Sequence, residues 1–162
     1  MNIVLLEPEI PANTGNIGRT CVVTGTKLHL IEPLGFEISE KMLKRAGLDY
    51  WDKLDVSIYK DYEEFDRACG MRRIWYVTTK AERSYTDVEY LPDDLLMFGK
   101  ETAGIPEEIL VQNRDRCIRI PMVAGERSLN LSNAAAIVLY EALRQNGFNG
   151  LEEHGQLHRL KW

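Results

Sequence analysis

The sequence predicts an α/β protein, a mainly parallel sheet with helices on both faces. Short apolar runs recur along the chain, at Ile3–Leu6, Leu28–Ile31, Ile74–Val77 and Leu95–Phe98. Apart from His29 in the second, they hold no strongly polar residue, as strands buried on both faces do not. Between them lie segments with helix caps and glycine stops, so strands and helices alternate. Polar, glycine-containing stretches follow three of the predicted strands, and open parallel sheets bind ligands at the carboxyl ends of their strands.

Taken in order, Ile3–Leu6 is a strand bounded by Pro8 and Pro11. A helix is expected from about Ile17 to Thr26, closed by Gly25, before a second strand at Leu28–Ile31 that Glu32 and Pro33 stop. Ser39 caps a short helix over Glu40–Ala46, ended by Gly47. Val56–Tyr59 is the third strand, and Asp61 caps a helix through Cys69 with Gly70 behind it. Ile74–Thr78, Leu95–Phe98 and Cys117–Ile120 are the fourth to sixth strands. The longest helix runs from about Asn130 to Gln145 and stops at Asn146-Gly147. Nothing in the pattern splits the chain, so residues 1–162 read as one domain with a tail from about residue 150.

Composition narrows the function classes. A chain of 162 residues with 44% hydrophobic and 28% charged residues is that of an ordinary globular protein. No apolar run reaches the ~18 residues that a bilayer crossing needs, so no membrane partner is expected. Met1–Leu6 lacks a basic leader and is ended by Glu7 and Pro8, which makes it a strand rather than a signal peptide. Cys21, Cys69 and Cys117 are odd in number, with no CxxC pair. They read as reduced, buried thiols of a cytoplasmic protein. No metal is expected: His154 and His158 are four apart, but Gly155 weakens any helix between them. A net charge of −5 argues against a non-specific grip on long nucleic acid, while leaving room for a local basic face.

Three polar segments hold the candidate chemistry: Asn13-Thr14-Gly15-Asn16-Ile17-Gly18-Arg19, Phe98-Gly99-Lys100-Glu101-Thr102-Ala103-Gly104, and Ile118-Arg119-Ile120-Pro121-Met122 through Ser128-Leu129-Asn130-Leu131-Ser132-Asn133. The first lacks the paired glycines of GxGxxG, and no GxxxxGK[ST] loop occurs, so a nicotinamide or nucleoside-triphosphate enzyme has no sequence warrant beyond the fold class. Singly, the glycines read as turn residues and the polar residues as helix caps or surface ion pairs. Asn130, Ser132 and Asn133 are each placed to cap the last helix.

Together, in this order and separation, the three segments resemble the motifs of the SPOUT superfamily of RNA methyltransferases. Lys44-Arg45-Ala46-Gly47-Leu48-Asp49-Tyr50 and the short chain are similar to one branch, which methylates the ribose 2′-hydroxyl of the tRNA wobble nucleotide, cytidine or modified uridine 34. The resemblance covers the chain to about Gly150. It implies S-adenosylmethionine as methyl donor, leucine tRNAs as substrates, a homodimer, and a C-terminal trefoil knot that periodicity does not show. The alternatives are another tRNA or rRNA 2′-O-methylation site, or a non-catalytic RNA-binding module.

By this resemblance Arg19 is the catalytic residue. Gly99, Ile120 and Ser128 hold the cofactor, with Val77 at the matching strand end and Met122 and Leu129 lining the adenine pocket. Asn13, Asn16, Glu101 and Asn130 contact substrate or complete the active site. Ala103 and the acidic Gly125-Glu126 depart from the family pattern, which bears on substrate preference. An arginine stays protonated at neutral pH, which favours Arg19 as an electrostatic clamp on a developing alkoxide over a general base. Lys41, Lys44 and Arg45 share one face of a predicted helix, expected to grip the anticodon stem-loop, with Tyr50 and Trp51 beside them as candidates to stack on bases. The last helix carries more apolar surface than one sheet face needs, an argument for pairing of two chains, with Arg19 of one beside the cofactor of the other.

Overall fold

A computed structural model describes residues 1–37, 50–69 and 71–162. In chain order the elements are β1 (Asn2–Leu6), α1 (Pro11–Thr24), β2 (Lys27–Ile31), a 3-10 turn (Trp51–Lys53), β3 (Val56–Tyr59), α2 (Tyr62–Cys69) and β4 (Ile74–Val77). There follow β5 (Arg83–Ser84), β6 (Leu95–Phe98), α3 (Glu107–Gln112), a second 3-10 turn (Arg114–Arg116), β7 (Cys117–Arg119) and α4 (Leu131–Gln145). The strands form one sheet in the order β3-β2-β1-β6-β4-β7-β5, and every pairing is parallel. The predicted class and six predicted strands are present. The expected helix over Glu40–Ala46 lies outside the described residues.

Side chains alternate across the sheet, and the apolar runs therefore supply two cores at once. Ile3, Leu5, Leu28, Leu30, Leu96 and Phe98 point to one face, where Ile17 and Cys21 of α1 and Ala135, Val138, Leu139 and Ala142 of α4 cover them. Val4, Leu6, Ile31, Leu95 and Met97 point to the other, against Phe65 and Cys69 of α2 and Leu110 of α3. A run of consecutive apolar residues is the signature this two-sided burial demands.

Two expectations need correction. The first helix begins at Pro11, not near Ile17, so the segment from Asn13 to Arg19 is helical and Gly15 and Gly18 are not turn residues. Proline suits the first helical position, where its missing N–H has no partner to lose, but Ile10 before it offers no side-chain cap and the first turn holds no acidic residue, so Pro11 marks the start without the usual capping residues. The short β5 and α3 were not expected. Two residues carry no periodicity, whereas Pro106 followed by Glu107 and Glu108 did mark a helix start.

Between β3 and β1, strand β2 buries a polar residue. His29 is 2% exposed. Its Nε2 donates to Asn2 Oδ1 at 3.3 Å and its Nδ1 accepts from the Tyr59 hydroxyl at 2.9 Å. Burial, with the charges of Lys27 and Arg72 adding to it, holds the imidazole well below its usual value, at about 4. Its neutral form is favoured in the fold, so its contribution is complete above about pH 6.5 and is lost as pH falls toward 4. The full loss is about 3 kcal/mol. Urea midpoints from pH 7 to 4 should therefore fall more steeply in the wild type than in His29→Gln, whose amide does not titrate. Parallel curves would refute the assignment.

Candidate active site

The carboxyl ends of four adjacent strands set the stage. The registers Leu5↔Phe98, Val77↔Phe98 and Val77↔Ile118 bring β1, β6, β4 and β7 to one rim. Val77, Gly99 and Ile120 therefore leave the sheet side by side. The chain runs outward from β1 to β3 and returns across it to β4 and β6, so the rim lies at a reversal of strand order, where α/β sheets form their crevices.

At that rim the three polar segments are joined by hydrogen bonds. Glu101 accepts the backbone N–H of Glu9 at 2.8 Å and of Ile10 at 3.3 Å, and the Asn13 side-chain amide at 2.8 Å. Asn130 donates to the Asn13 oxygen at 2.9 Å. Its own oxygen accepts from the N–H of Ser132 and Asn133 and from the Ser132 hydroxyl, capping α4. Asn13 is buried, so it uses its donor and its acceptor to tie Glu101 to Asn130. The carboxylate also lies at the positive end of α1, which has no acidic residue of its own in the first turn.

Flanking contacts fasten the same junction. Glu9 answers Glu101 by accepting from Thr102 N–H at 3.1 Å and its hydroxyl at 2.8 Å. Lys100 pairs with Glu7 at 2.7 Å, and Glu7 holds a left-handed backbone, φ +51°, uncommon for a residue with a side chain. Glu7, Glu9 and Thr102 were not anticipated from sequence; the signal available was the Glu-Pro-Glu-Ile-Pro run between β1 and α1. Gly99 has a steric reason: a Cβ there would lie 2.1 Å from the Gly104 carbonyl carbon and 2.2 Å from Ile105 N. The loop after β6 closes back on itself only because position 99 has no side chain.

The expected cofactor residues divide by element. Val77 and Ile120 are half-buried against the core below the rim. Met122, Ser128 and Leu129 sit on the loop after β7, with Met122 half-buried and Leu129 39% exposed. Among the described residues, the one backbone hydrogen bond within residues 120–129 runs from Glu126 N–H to Val123 C=O. That loop thus offers apolar side chains and uncommitted backbone donors and acceptors, the lining that a nucleoside ligand uses.

Arg19 is not brought to this junction. It lies on the exposed side of α1 with Asn16, roughly 9 Å along the helix from Asn13, and its guanidinium sits over the Tyr50 ring, 6.0 Å from its centre. Trp51 packs beside the core and Tyr50 donates its hydroxyl to the Gly15 carbonyl, so both rings are used against α1. Both pack near Gly18, where a Cβ would lie 3.6 Å from Trp51 and 3.7 Å from Tyr50, ordinary contact distances, and 3.2 Å from the end of the Leu54 side chain. Lys44 and Arg45 lie outside the described residues. A cavity of about 480 Å3 between residues 78–83 and α3 includes none of the expected site residues. The three cysteines are free and buried, and burial pushes Cys21 up to about 12. Among the described residues no three metal-ligating side chains gather, and no helix is long and apolar enough to cross a membrane.

With this geometry in hand, comparison with known proteins is decisive at the level of family. Residues 1–140 match the SpoU rRNA Methylase family. A tRNA (cytidine(34)-2′-O)-methyltransferase from Saccharophagus degradans is 50% identical, over 92% of this chain and 97% of its own. A protein solved in work on 2-OH methylation of C/U34 on tRNA superposes with a TM-score of 0.84 at 41% identity, over 90% of this chain and 95% of its own. An AdoMet-bound rRNA methyltransferase from Sinorhizobium meliloti superposes at 0.77 with 26% identity, over 88% of this chain and 55% of its own. The chain belongs to the SpoU rRNA Methylase family, a family of RNA methyltransferases. The resemblance read from the three motifs is borne out, and so is the branch whose members act at position 34.

Two substitutions test the junction. Asn13→Asp keeps an acceptor toward Asn130 but sets a second carboxylate against Glu101. It should cost about 2 kcal/mol at pH 8, with the deficit relative to wild type shrinking by pH 5 as one proton is shared. A pH-independent deficit would refute the contact. Gly99→Ala should cost about 3 kcal/mol or more in urea unfolding, because backbone rather than a flexible side chain must move. A wild-type midpoint would show that the loop has room.

Proposed function

We propose that this chain transfers a methyl group from S-adenosylmethionine to the ribose 2′-hydroxyl of the wobble nucleotide of tRNA, with leucine tRNAs as the substrates, acting in the cytoplasm. The observation that carries the proposal is the hydrogen-bonded junction of all three motifs, Asn130 to Asn13 to Glu101, at the carboxyl rim. Relatives near 50% identity that are named for this reaction at position 34 support it. The exposed backbone groups and apolar side chains of residues 120–129 suit the adenosine moiety, with Gly99, Ile120, Ser128, Val77, Met122 and Leu129 in the roles expected above. When bound, S-adenosylmethionine supplies an electrophilic methyl whose leaving group, a neutral thioether, needs no acid from the protein.

The protein's own tasks are then to seat the ribose hydroxyl in line, exclude water, and stabilise negative charge as the hydroxyl proton leaves. In our reading Arg19 does the last as a fixed cation on the developing alkoxide and the neighbouring phosphate. Its separation from the rim within one chain supports a site completed by a second copy. The exposed stripe of Val23 on α1 with Ile137 and Tyr140 on α4, all more than a third exposed, is the surface we assign to that pairing. The interleaved order β6-β4-β7 is in keeping with a C-terminal trefoil knot. The segment carrying Lys44 and Arg45 is assigned to the anticodon stem-loop by charge.

Labelled S-adenosylmethionine and total tRNA should yield 2′-O-methylcytidine at position 34, and Arg19→Ala should lower the rate at least ~100-fold while cofactor affinity stays within severalfold. Binding of tRNA without transfer would point instead to a non-catalytic RNA-binding module. Mixing Arg19→Ala with Ile120→Glu at equal amounts should restore about a quarter of wild-type activity, since half the dimers then hold one complete site. No restoration would place Arg19 beside the cofactor of its own chain.

A further inference from the structure

Arg19 projects from an exposed helix face, and among the described residues no carboxylate pairs with it. A long side chain in that setting samples many rotamers, and ordering it costs entropy. What holds it is Tyr50. The ring lies beneath the guanidinium, whose carbon is 6.0 Å from the ring centre, at the outer limit of a cation–π contact. The hydroxyl of the same residue donates to the Gly15 carbonyl. Gly15 is four residues before Arg19, the position whose carbonyl accepts the Arg19 N–H in an α-helix. Tyr50 therefore grips the turn of α1 that carries Arg19 and supports the end of its side chain. Tyr50 also packs close to Gly18, where a Cβ would come within ordinary contact of its Cε2 at 3.7 Å.

We infer that Tyr50 is the positioning residue for Arg19, a rigid aromatic platform that holds the guanidinium in the orientation its chemistry needs. The inference rests on the role proposed above for Arg19. Tyr50 touches neither donor nor ribose in this scheme and acts through the arginine alone. It also follows Lys44 and Arg45 closely in sequence. One short stretch of chain thereby links the basic residues assigned to RNA with the platform under the arginine. An arginine steadied on a ring is ready to meet charge without reorganising, the condition under which electrostatic stabilisation is most effective.

The ring and the hydroxyl separate by substitution. Tyr50→Phe keeps the platform and should retain kcat within about threefold, whereas Tyr50→Leu should lower kcat about tenfold with S-adenosylmethionine affinity unchanged. Tyr50→Met, unbranched and without a ring face, carries the same comparison if Tyr50→Leu loses the wild-type circular dichroism. A merely structural role is distinguished by coupling. In an Arg19→Lys background, whose residual rate no longer depends on a stacked guanidinium, Tyr50→Leu should change kcat less than twofold. Equal losses in both backgrounds, a Tyr50→Phe rate as low as that of Tyr50→Leu, or full turnover in both Tyr50→Leu and Tyr50→Met would overturn the inference. Turnover by Arg19→Ala at the wild-type rate would overturn the role of Arg19 itself, a separate result.

Discussion

Glu101 takes three donors, two from the backbone ahead of α1 and one from the side chain of Asn13, and through Asn13 it reaches Asn130 at the head of α4. Segments about ninety residues apart are held by a single carboxylate. Charge-assisted hydrogen bonds of this kind are short and directional, and here they substitute for the cap that the sequence around Ile10 fails to provide. The start of α1, the course of the loop after β6 and the approach of α4 are fixed relative to one another by this group. Removing it would release two backbone donors ahead of α1, the one at Ile10 exposed to water, together with the amide of the buried Asn13, which would lose its partner.

The sheet provides the frame on which that junction is useful. Strands buried on both faces are rigid, and their parallel register delivers Val77, Gly99 and Ile120 to one rim without help from side chains. Helices α1 and α4 cover one face and α2 and α3 the other, so the loops that leave the rim are anchored at both ends by core. Steric demands complete the site's walls. Gly99 permits a turn that closes on Gly104, while the Tyr50–Leu54 stretch packs against α1 near Gly18. The buried His29 of β2 and the thiol of Cys21, by contrast, are neutral packing elements whose ionisation the fold suppresses.

Much of this was legible in the chain. Ile3–Leu6 and Leu95–Phe98 lack polar alternation because each residue meets an apolar layer, and that pattern alone implied a two-sided sheet. Asn130 before Leu131 announced its own cap. The beginning of α1 was marked only by Pro11, because the carboxylate that holds the backbone ahead of it lies at position 101, and local sequence carries no trace of a partner so distant. The same limit hid the pairing of Glu9 with Thr102 and turned Tyr50 and Trp51 into apparent base-stacking candidates when they were rings packed on a helix.

By itself the sequence determined the alternation of strands and helices, the burial of the apolar runs and the three motifs that mark the family, since these depend on residue type and spacing along the chain. The tertiary structure decided which motif residues touch, that Asn13 is buried between Glu101 and Asn130, that Arg19 stands apart from the rim over Tyr50, and that α1 starts at Pro11. Those outcomes depend on hydrogen bonds and close approaches between positions far apart in sequence, which exist only after the sheet has brought them together.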